Sequence, residues 1–364
     1  MPGTLYRYIL SRTVRSLVIA FLVVTSIIML VDFVEANRDL SADIDVSAWQ
    51  LLTLTAFKTP SLIEQTIPFV VLFGMMGAIN GMNRRSELIV MRASGQSAWS
   101  IIKPSLWLAG ALGIGWSLLF NPAASRLYDQ FEIQSAEWLG SGASTNEGTI
   151  WLREGRSDQQ IVIRADSVDL ASRTLTQATF LMLDVDPDGK TRFSRRFDAV
   201  SAQLITQGYW QLVDVTENAP GEAMQQLAAI SLPTTIDTDE LAQQADGNRR
   251  TGFWSMPKTI RDNEAAGFSA RELRLRFNRL LSLPVMLIAM TLIAAGVSMN
   301  LTREGGTLRL LITGSSLGFA VFFADSTVSA FGEVATLPVL IAAWAVPLIV
   351  LMLSVSYLAK IEDG

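Results

Sequence analysis

Few residues in this 364-residue chain have the type and spacing that chemistry requires. The most concentrated stretch is Asn83-Arg-Arg-Ser-Glu-Leu-Ile-Val-Met-Arg-Ala-Ser-Gly95, charged punctuation between apolar runs. Ser86 is placed to cap a short helix, Glu87 to meet the positive end of its dipole, Arg92 to sit in its last turn and Gly95 to end it. Two readings fit: an interfacial connector whose glutamate only matches the dipole, or a coupling helix whose Glu87 pairs with a basic groove on another subunit. A second set of ionisable groups borders the apolar runs: Arg38; Lys58 and Glu64 on either side of Pro60; Arg274, Arg276 and Arg279. Long basic side chains near helix ends commonly snorkel, and the same cations at an outer edge also suit an anionic headgroup. Asp184-x-Asp186-x-Asp188-Gly189 imitates the opening of a calcium loop, but position twelve is Arg195 and strand-like sequence flanks it, so it reads as a hairpin turn with solvated acids.

What is missing is equally informative. Cysteine and histidine are both absent, which removes disulfides, Cys/His zinc sites, thiol nucleophiles and histidine general bases. There is no Gly-x-x-x-x-Gly-Lys-[Ser/Thr], so any use of ATP falls to a separate subunit. Nor does a carboxylate pair, a Ser/Lys dyad or a metal-spaced cluster stand out, and neither a catalytic residue nor a metal ligand is expected. With Lys+Arg 29 against Asp+Glu 34, the net charge of −5 lacks the basic footprint of a nucleic-acid binder.

The elements that position these residues follow from where the charge is not. Half the chain is hydrophobic and only 17% is charged, against about 25% in soluble domains. Apolar runs long enough to span a bilayer, which takes ~20 residues, fall at 17–34, 62–82, 101–120, 280–299, 308–328 and 337–358. They predict six spans in two groups of three. Arg7, Arg12 and Arg15 precede the first; Arg84, Arg85, Arg92 and Lys103 lie between the second and third; Arg303 and Arg309 lie between the fourth and fifth; Lys360 follows the sixth. Basic short loops stay cytoplasmic, so both termini are expected inside and the polar stretch 122–277 outside, in the periplasm of a bacterium. A signal peptide cleaved after Ala36 is the competing reading of the first run. The length of that run and the even number of spans argue for its retention. Gly77-x-x-x-Gly81 and Gly314-x-x-x-Gly318 point to close helix approach within the membrane.

Between the two membrane halves, 160–165, 175–185, 192–206 and 209–216 are rich in Ile, Val, Phe, Thr and Trp, with turns at Asp188-Gly189 and Gln207-Gly208. Around Trp210 both parities are partly apolar, so the faces of that strand are not cleanly divided. The expected fold is an α-helical integral membrane protein of six helices, 3+3, with an inserted all-β, jelly-roll-like periplasmic domain. The boundaries follow: 1–121 for the first three helices with the coupling helix at about 83–95, 122–250 for the β-domain, 251–277 for a linker and short helix, and 278–364 for the last three helices. Within the linker, Ser255, Pro257 and Gly267 mark the start and end of the helix.

Taken in order, these segments resemble the LptF/LptG family, the permeases of the lipopolysaccharide export ABC transporter. The carrying stretches are Thr59-Pro-Ser-Leu-Ile-Glu-Gln-Thr-Ile-Pro68, Arg85-Ser-Glu-Leu-Ile-Val-Met-Arg-Ala-Ser-Gly95, Phe253-Trp-Ser-Met-Pro-Lys-Thr-Ile running on to Asn278-Arg-Leu-Leu-Ser-Leu-Pro284, and Phe323-Ala-Asp-Ser-Thr-Val-Ser-Ala-Phe-Gly332 with Ala342-Ala-Trp-Ala. They resemble the G branch more than the F branch. The resemblance implies an inner-membrane permease that pairs with an LptF-like second permease. Beneath the pair sit two copies of an LptB-like ATPase carrying ATP and magnesium. An LptC-like single-span protein and a periplasmic jelly-roll bridge complete the assembly. Glu87 matches the acidic residue of the family's coupling helix, and Arg38 and Arg279 fall where the family tends to be basic near the cavity mouth; Lys58 matches no motif position. Two alternatives from the residues alone are a permease for another lipid or lipoprotein, and a membrane-anchored periplasmic scaffold that needs no ATPase.

Overall fold

The computed structural model describes residues 2–39, 46–139, 150–155, 159–169, 172–185, 191–205, 208–221, 223–234, 236, 241, 251–265, 269–301 and 307–363. It divides into two compact units, one of Met1–Tyr128, Thr251–Pro257 and Arg271–Gly364, the other of Asp129–Arg250 and Lys258–Ala270.

The first unit is helical. Its elements are α1 (Pro2–Asp39), α2 (Ala48–Arg84), the short α3 (Glu87–Ala93) and α4 (Ala98–Gly115), which runs through a π-turn at Trp116–Phe120 into α5 (Asn121–Leu139). After the insertion come α6 (Met256–Ala265), α7 (Arg271–Leu301), α8 (Thr307–Glu333) and α9 (Val339–Asp363). Among the described residues six helices are long and apolar enough to cross a membrane: α1, α2, α4 with α5, α7, α8 and α9. A 38-residue α1 is about 57 Å long at 1.5 Å per residue, so its basic first turns extend well beyond a bilayer core of about 30 Å. Capping is local: Ser47 and Gln50 form a capping box at the start of α2, and the Ser97 hydroxyl accepts from the Ser100 N–H at the start of α4. In α7, 72% of the most apolar window is buried, against 11% in α1 and 17% in α8. The bundle is therefore centred on α7, with α2 against it, and α1 and α8 turn apolar flanks outward.

Two prolines shape the bundle. Proline has no N–H, so it leaves the carbonyl four residues earlier without its helical partner. For Pro284 in α7 that carbonyl belongs to Leu280, and the Ser117 hydroxyl donates to it at 2.7 Å. For Pro122 it belongs to Leu118, and the Trp254 indole N–H donates to it at 3.0 Å. The π-turn sits directly before Pro122, with the Asn121 N–H donating to the Trp116 carbonyl. Residues 122–139, grouped by sequence with the polar insertion, thus begin as a helical continuation of the third span. Asn-Pro reads as a turn signal, and the π-turn converts it into a continuation.

The second unit is built on one seven-stranded antiparallel sheet: β1 (Ile150–Gly155), β2 (Gln159–Ala165), β3 (Ser167–Asp169), β4 (Thr174–Val185), β5 (Thr191–Ile205), β6 (Tyr209–Asn218) and β7 (Gln225–Pro233). The order is β1-β2-β4-β5-β6-β7, with β3 on β4. This is the antiparallel all-β insertion between the third and fourth spans that the strand-forming composition and turns predict. The mixed parity of β6 has a physical cause. The pairing skips one row, between Thr176↔Ser201 and Ala178↔Ala199, and again between Ala199↔Val215 and Ser201↔Val213. In that row Gln177 and Asp214 take φ of 50° and 53°. On one side of it Leu175, Ala202, Trp210 and Leu212 face the core; on the other, Ala178, Phe180, Phe197 and Val215 do. The sheet is creased along this row, the kind of corner that bulges and irregular residues make. Phe180 and Trp210, from opposite sides of the crease, meet edge to face with centroids 5.9 Å apart. The Thr234 hydroxyl donates to buried Glu154 at 2.7 Å, tying the segment after β7 to β1. Asp186, Asp188 and Gly189 of the calcium-like stretch lie outside the described residues, as do Gln207, Gly267 and Arg303; β4 and β5, which flank that stretch, pair from Val185↔Thr191 onward.

Candidate functional site

The connector between α2 and α4 is built from its turn upward. Ser86 occupies the N-cap position of α3, but with φ 59° and ψ 13° and no side-chain cap bond. The hydroxyl capping expected from sequence is therefore corrected. In the left-handed conformation the side chain is not aimed at the N2 and N3 amides, and the turn is instead held by the Ser86 N–H donating to the Asn83 carbonyl at 2.8 Å. Gly95, at φ 84°, ends the helix, with the Gln96 N–H donating to the Met91 carbonyl. Leu88 and Met91 are buried, Ile89 and Val90 are 63% and 67% exposed, and Arg92 is exposed. The connector is thus seated by one apolar face and offers a second one outward.

Glu87 is half-buried and turned towards α1. The Tyr8 hydroxyl donates to its Oε2 at 2.8 Å, and the Arg12 guanidinium stands 3.7 Å from its Oε1. Arg12 also lies over the Tyr8 ring at 6.0 Å. Sequence reasoning missed both partners, which sit 79 and 75 positions away and carry no spacing signal.

Three of the basic residues picked out at the borders of the spans face carboxylates. Lys58 is paired with Asp32 at 2.7 Å, Arg279 with Asp325 at 2.9 Å, and Arg276 stands 3.9 Å from Glu64. Arg38, at the end of α1, and Arg274 are exposed. Arg271, which sequence reasoning passed over, donates to the carbonyls of Gly332 and Leu337 and so staples the start of α7 to the α8–α9 turn. Asp32, with a side chain only 7% exposed, was legible as the lone carboxylate inside the first apolar run.

The small residues show where helices touch. A Cβ on Gly314 or Gly318 would collide with side chains of Met76, or of Leu72 and Phe69, so α8 approaches α2 along that face. On α2 the approach to α1 runs through Gly74 and Gly77, where an added Cβ would stand 3.0 Å from the Leu17 Cα and 2.7 Å from the Ser16 hydroxyl. A Cβ on Gly81 would meet nothing within 4 Å among the described residues, so of this pair only Gly77 touches another helix of the chain.

A sequence model described as lipopolysaccharide export system permease LptF/LptG matches residues 7–360, from the first turns of α1 through the inserted sheet to the end of α9. The chain belongs to the LptF/LptG family. No curated protein matches the chain. The family model covers the F and G branches alike and does not separate them. As an LptF/LptG permease the chain is a transport subunit rather than an enzyme, and the six apolar helices make it a multi-pass protein of the inner membrane.

Charge reversal at Arg279 separates a lipid-binding role from a packing one. Arg279→Glu places two carboxylates together at Asp325 and is expected to lower export. The swap Arg279→Asp with Asp325→Arg rebuilds the ion pair in reverse. If export by the swapped protein returns to the wild-type level, Arg279 serves packing; continued loss assigns it to the headgroup.

Proposed function

We propose that this chain is one of two permease subunits, of the G type, that extract lipopolysaccharide from the outer leaflet of the inner membrane and pass it to a periplasmic β-structured bridge. The observation that carries this reading is the single family match running through both membrane halves and the inserted sheet. Both termini are cytoplasmic in this reading, supported by Arg7, Arg12 and Arg15 at one end, Arg84, Arg85 and Arg92 in the α2–α4 connector, and Lys360 at the other. The connector then faces the cytoplasm and the sheet faces the periplasm. Because the sequence has no phosphate-binding loop, ATP and magnesium sit on a partner ATPase of the LptB kind, docked under α3. An LptF-like permease and an LptC-like single-span protein complete the assembly. Among the described residues β1 and β7 are the end strands of the sheet, and such edges suit strand addition by a bridge of similar fold.

The chemistry is mechanical. Hydrolysis on the partner moves α3, whose Glu87 reaches α1 through Tyr8 and Arg12, and α1 in turn presents a long apolar flank to lipid. Purification from bacterial membranes together with neighbouring subunits, followed by lipid identification, tests the proposal. An ATPase, a second six-span chain and bound lipopolysaccharide are the expected companions; a solitary protein with no ATPase overturns it. Within that complex, Glu87→Ala is expected to lower ATP-dependent lipid release about tenfold, the scale of one charge-assisted contact, while the complex still assembles. Unchanged ATPase activity and release in that variant would remove Glu87 from the coupling path.

A further inference from the structure

Asn121 is fully buried at the point where the third span becomes α5, yet its side chain is satisfied on both ends. Its amide Nδ2 donates to Glu64 Oε2 of α2 at 2.7 Å, and its Oδ1 accepts the backbone N–H of Phe253 at 2.9 Å. The donor faces a carboxylate and the acceptor faces an N–H, so the amide has one sensible orientation. Glu64 in turn stands 3.9 Å from Arg276 of α7. One residue therefore links α2, the outgoing chain and the returning chain.

The same place carries three further ties. Trp254 donates to the Leu118 carbonyl that Pro122 releases, at 3.0 Å. Ser117 donates to Leu280 of α7 at 2.7 Å. Phe253 stacks on Phe277 of α7 with centroids 5.2 Å apart. All of this is assembled on a π-turn, a rare helix form found mostly where function needs an irregular geometry. By chain connectivity α5 leads out to the inserted sheet, and the segment at Thr251 leads back from it. Both covalent connections of the insertion thus start from one clamp.

We infer that Asn121 is a positioning residue, and that with Trp254 it locks the two connections of the inserted sheet to α2 and α7 so that they move as one body during transport. Glu64 is absorbed into this clamp as the acceptor that orients the amide. The inference rests on the export reading only for its transport consequence; the lock itself is a statement about geometry.

The experiment uses the full complex and exploits a chain that has no cysteine. Spin labels at Arg126→Cys and Ser255→Cys, both exposed positions, report the distance between the outgoing and returning segments. The distribution is expected to be narrow in the otherwise wild-type protein and to broaden in Asn121→Ala and in Trp254→Phe, the second keeping the ring while deleting the donor. Lipopolysaccharide released per ATP hydrolysed is expected to fall about fivefold or more, the size of a typical coupling between sites, with ATP hydrolysis itself retained. Asn121→Asp combined with Glu64→Gln reverses donor and acceptor while conserving charge, and is expected to restore both readouts. A distribution that stays narrow in both single variants overturns the lock. A broadened distribution with unchanged lipid per ATP overturns its role in transport. Absence of ATP-dependent release from the wild-type complex instead counts against the export reading, and the distance measurement still decides the lock.

Discussion

Lys58→Ala is expected to cost the membrane unit about 1–3 kcal/mol, the scale of stranding one buried polar group and less than breaking a fully buried pair, because the Lys58 side chain is a third exposed. The pair it breaks joins α1 to α2 at 2.7 Å, and the side chains of Lys58 and Asp32 are 34% and 7% exposed. The asymmetry sets the sign of the experiment. Lys58 keeps contact with solvent and tolerates the loss of its partner, whereas Asp32 without Lys58 is a carboxylate enclosed between helices. Asp32→Ala is therefore expected to be the milder single change, and Asp32→Ala with Lys58→Ala milder than Lys58→Ala alone, because the double variant leaves no stranded charge. Thermal unfolding of the four proteins in one detergent forms a double-mutant cycle that isolates the pair from the other contacts of Lys58. Additive losses would show that the pair holds nothing together. The pairing also bears on substrate: a Lys58 ammonium bound to Asp32 reaches an anionic headgroup only by leaving that partner, whereas Arg38 at the end of α1 is exposed.

Much of the architecture was legible because the bilayer imposes a length on apolar runs: five of the six runs fall within one long helix each, and the sixth, 337–358, begins two residues ahead of α9. Enrichment in Ile, Val, Phe, Thr and Trp between turn residues likewise announced β2, β4, β5 and β6. What escaped was decided by contacts between residues distant in sequence. The π-turn at Trp116–Phe120 runs up to Pro122, and the Leu118 carbonyl that Pro122 frees finds its partner in Trp254, from the far side of the insertion. The crease through Gln177 and Asp214 looked like poor patterning in a single strand, and becomes a corner only when neighbouring strands break in the same row. Glu87 was recognisable from its place at the head of a short helix, but Tyr8 and Arg12 were not, since nothing in the spacing brings α1 to α3. Ser86 shows the opposite failure: the right residue at the right position, with a backbone angle that turns its hydroxyl away from the cap.

The sites that resist sequence reading are also where the helices exchange their irregularities. Each of two prolines frees a carbonyl, and each carbonyl is taken by a donor from another element, Ser117 for Leu280 and Trp254 for Leu118. An unsatisfied carbonyl in a lipid-embedded bundle costs several kcal/mol. The pairing therefore fixes which helices stay together. By this logic α4 and α7 form a rigid pair, while α1 and α8, with little of their apolar windows buried, carry the largest outward apolar flanks.

That rigid pair yields the second large effect. Gly113→Ala is expected to destabilise the protein by about 3 kcal/mol, at the upper end of the cost of overpacking. A Cβ at Gly113 would stand 2.5 Å from the Pro284 Cα and 2.8 Å from its nitrogen, both backbone atoms that no rotamer change can move aside. Relief requires α4 and α7 to separate, which also stretches the Ser117 bond to Leu280 one turn further along. Gly314→Ala meets only the flexible end of Met76 and is expected to cost less. Gly81→Ala, with nothing within 4 Å, is expected to be neutral or slightly stabilising through the better helix propensity of alanine. Pro284→Ala leaves the colliding Cα and nitrogen in place and so does not rescue Gly113→Ala. Unfolding midpoints measured for the three glycine variants in the same detergent should fall in that order. A Gly113→Ala protein that melts with the wild type would mean that α4 and α7 do not meet backbone to backbone, and the rigid pair would go with it.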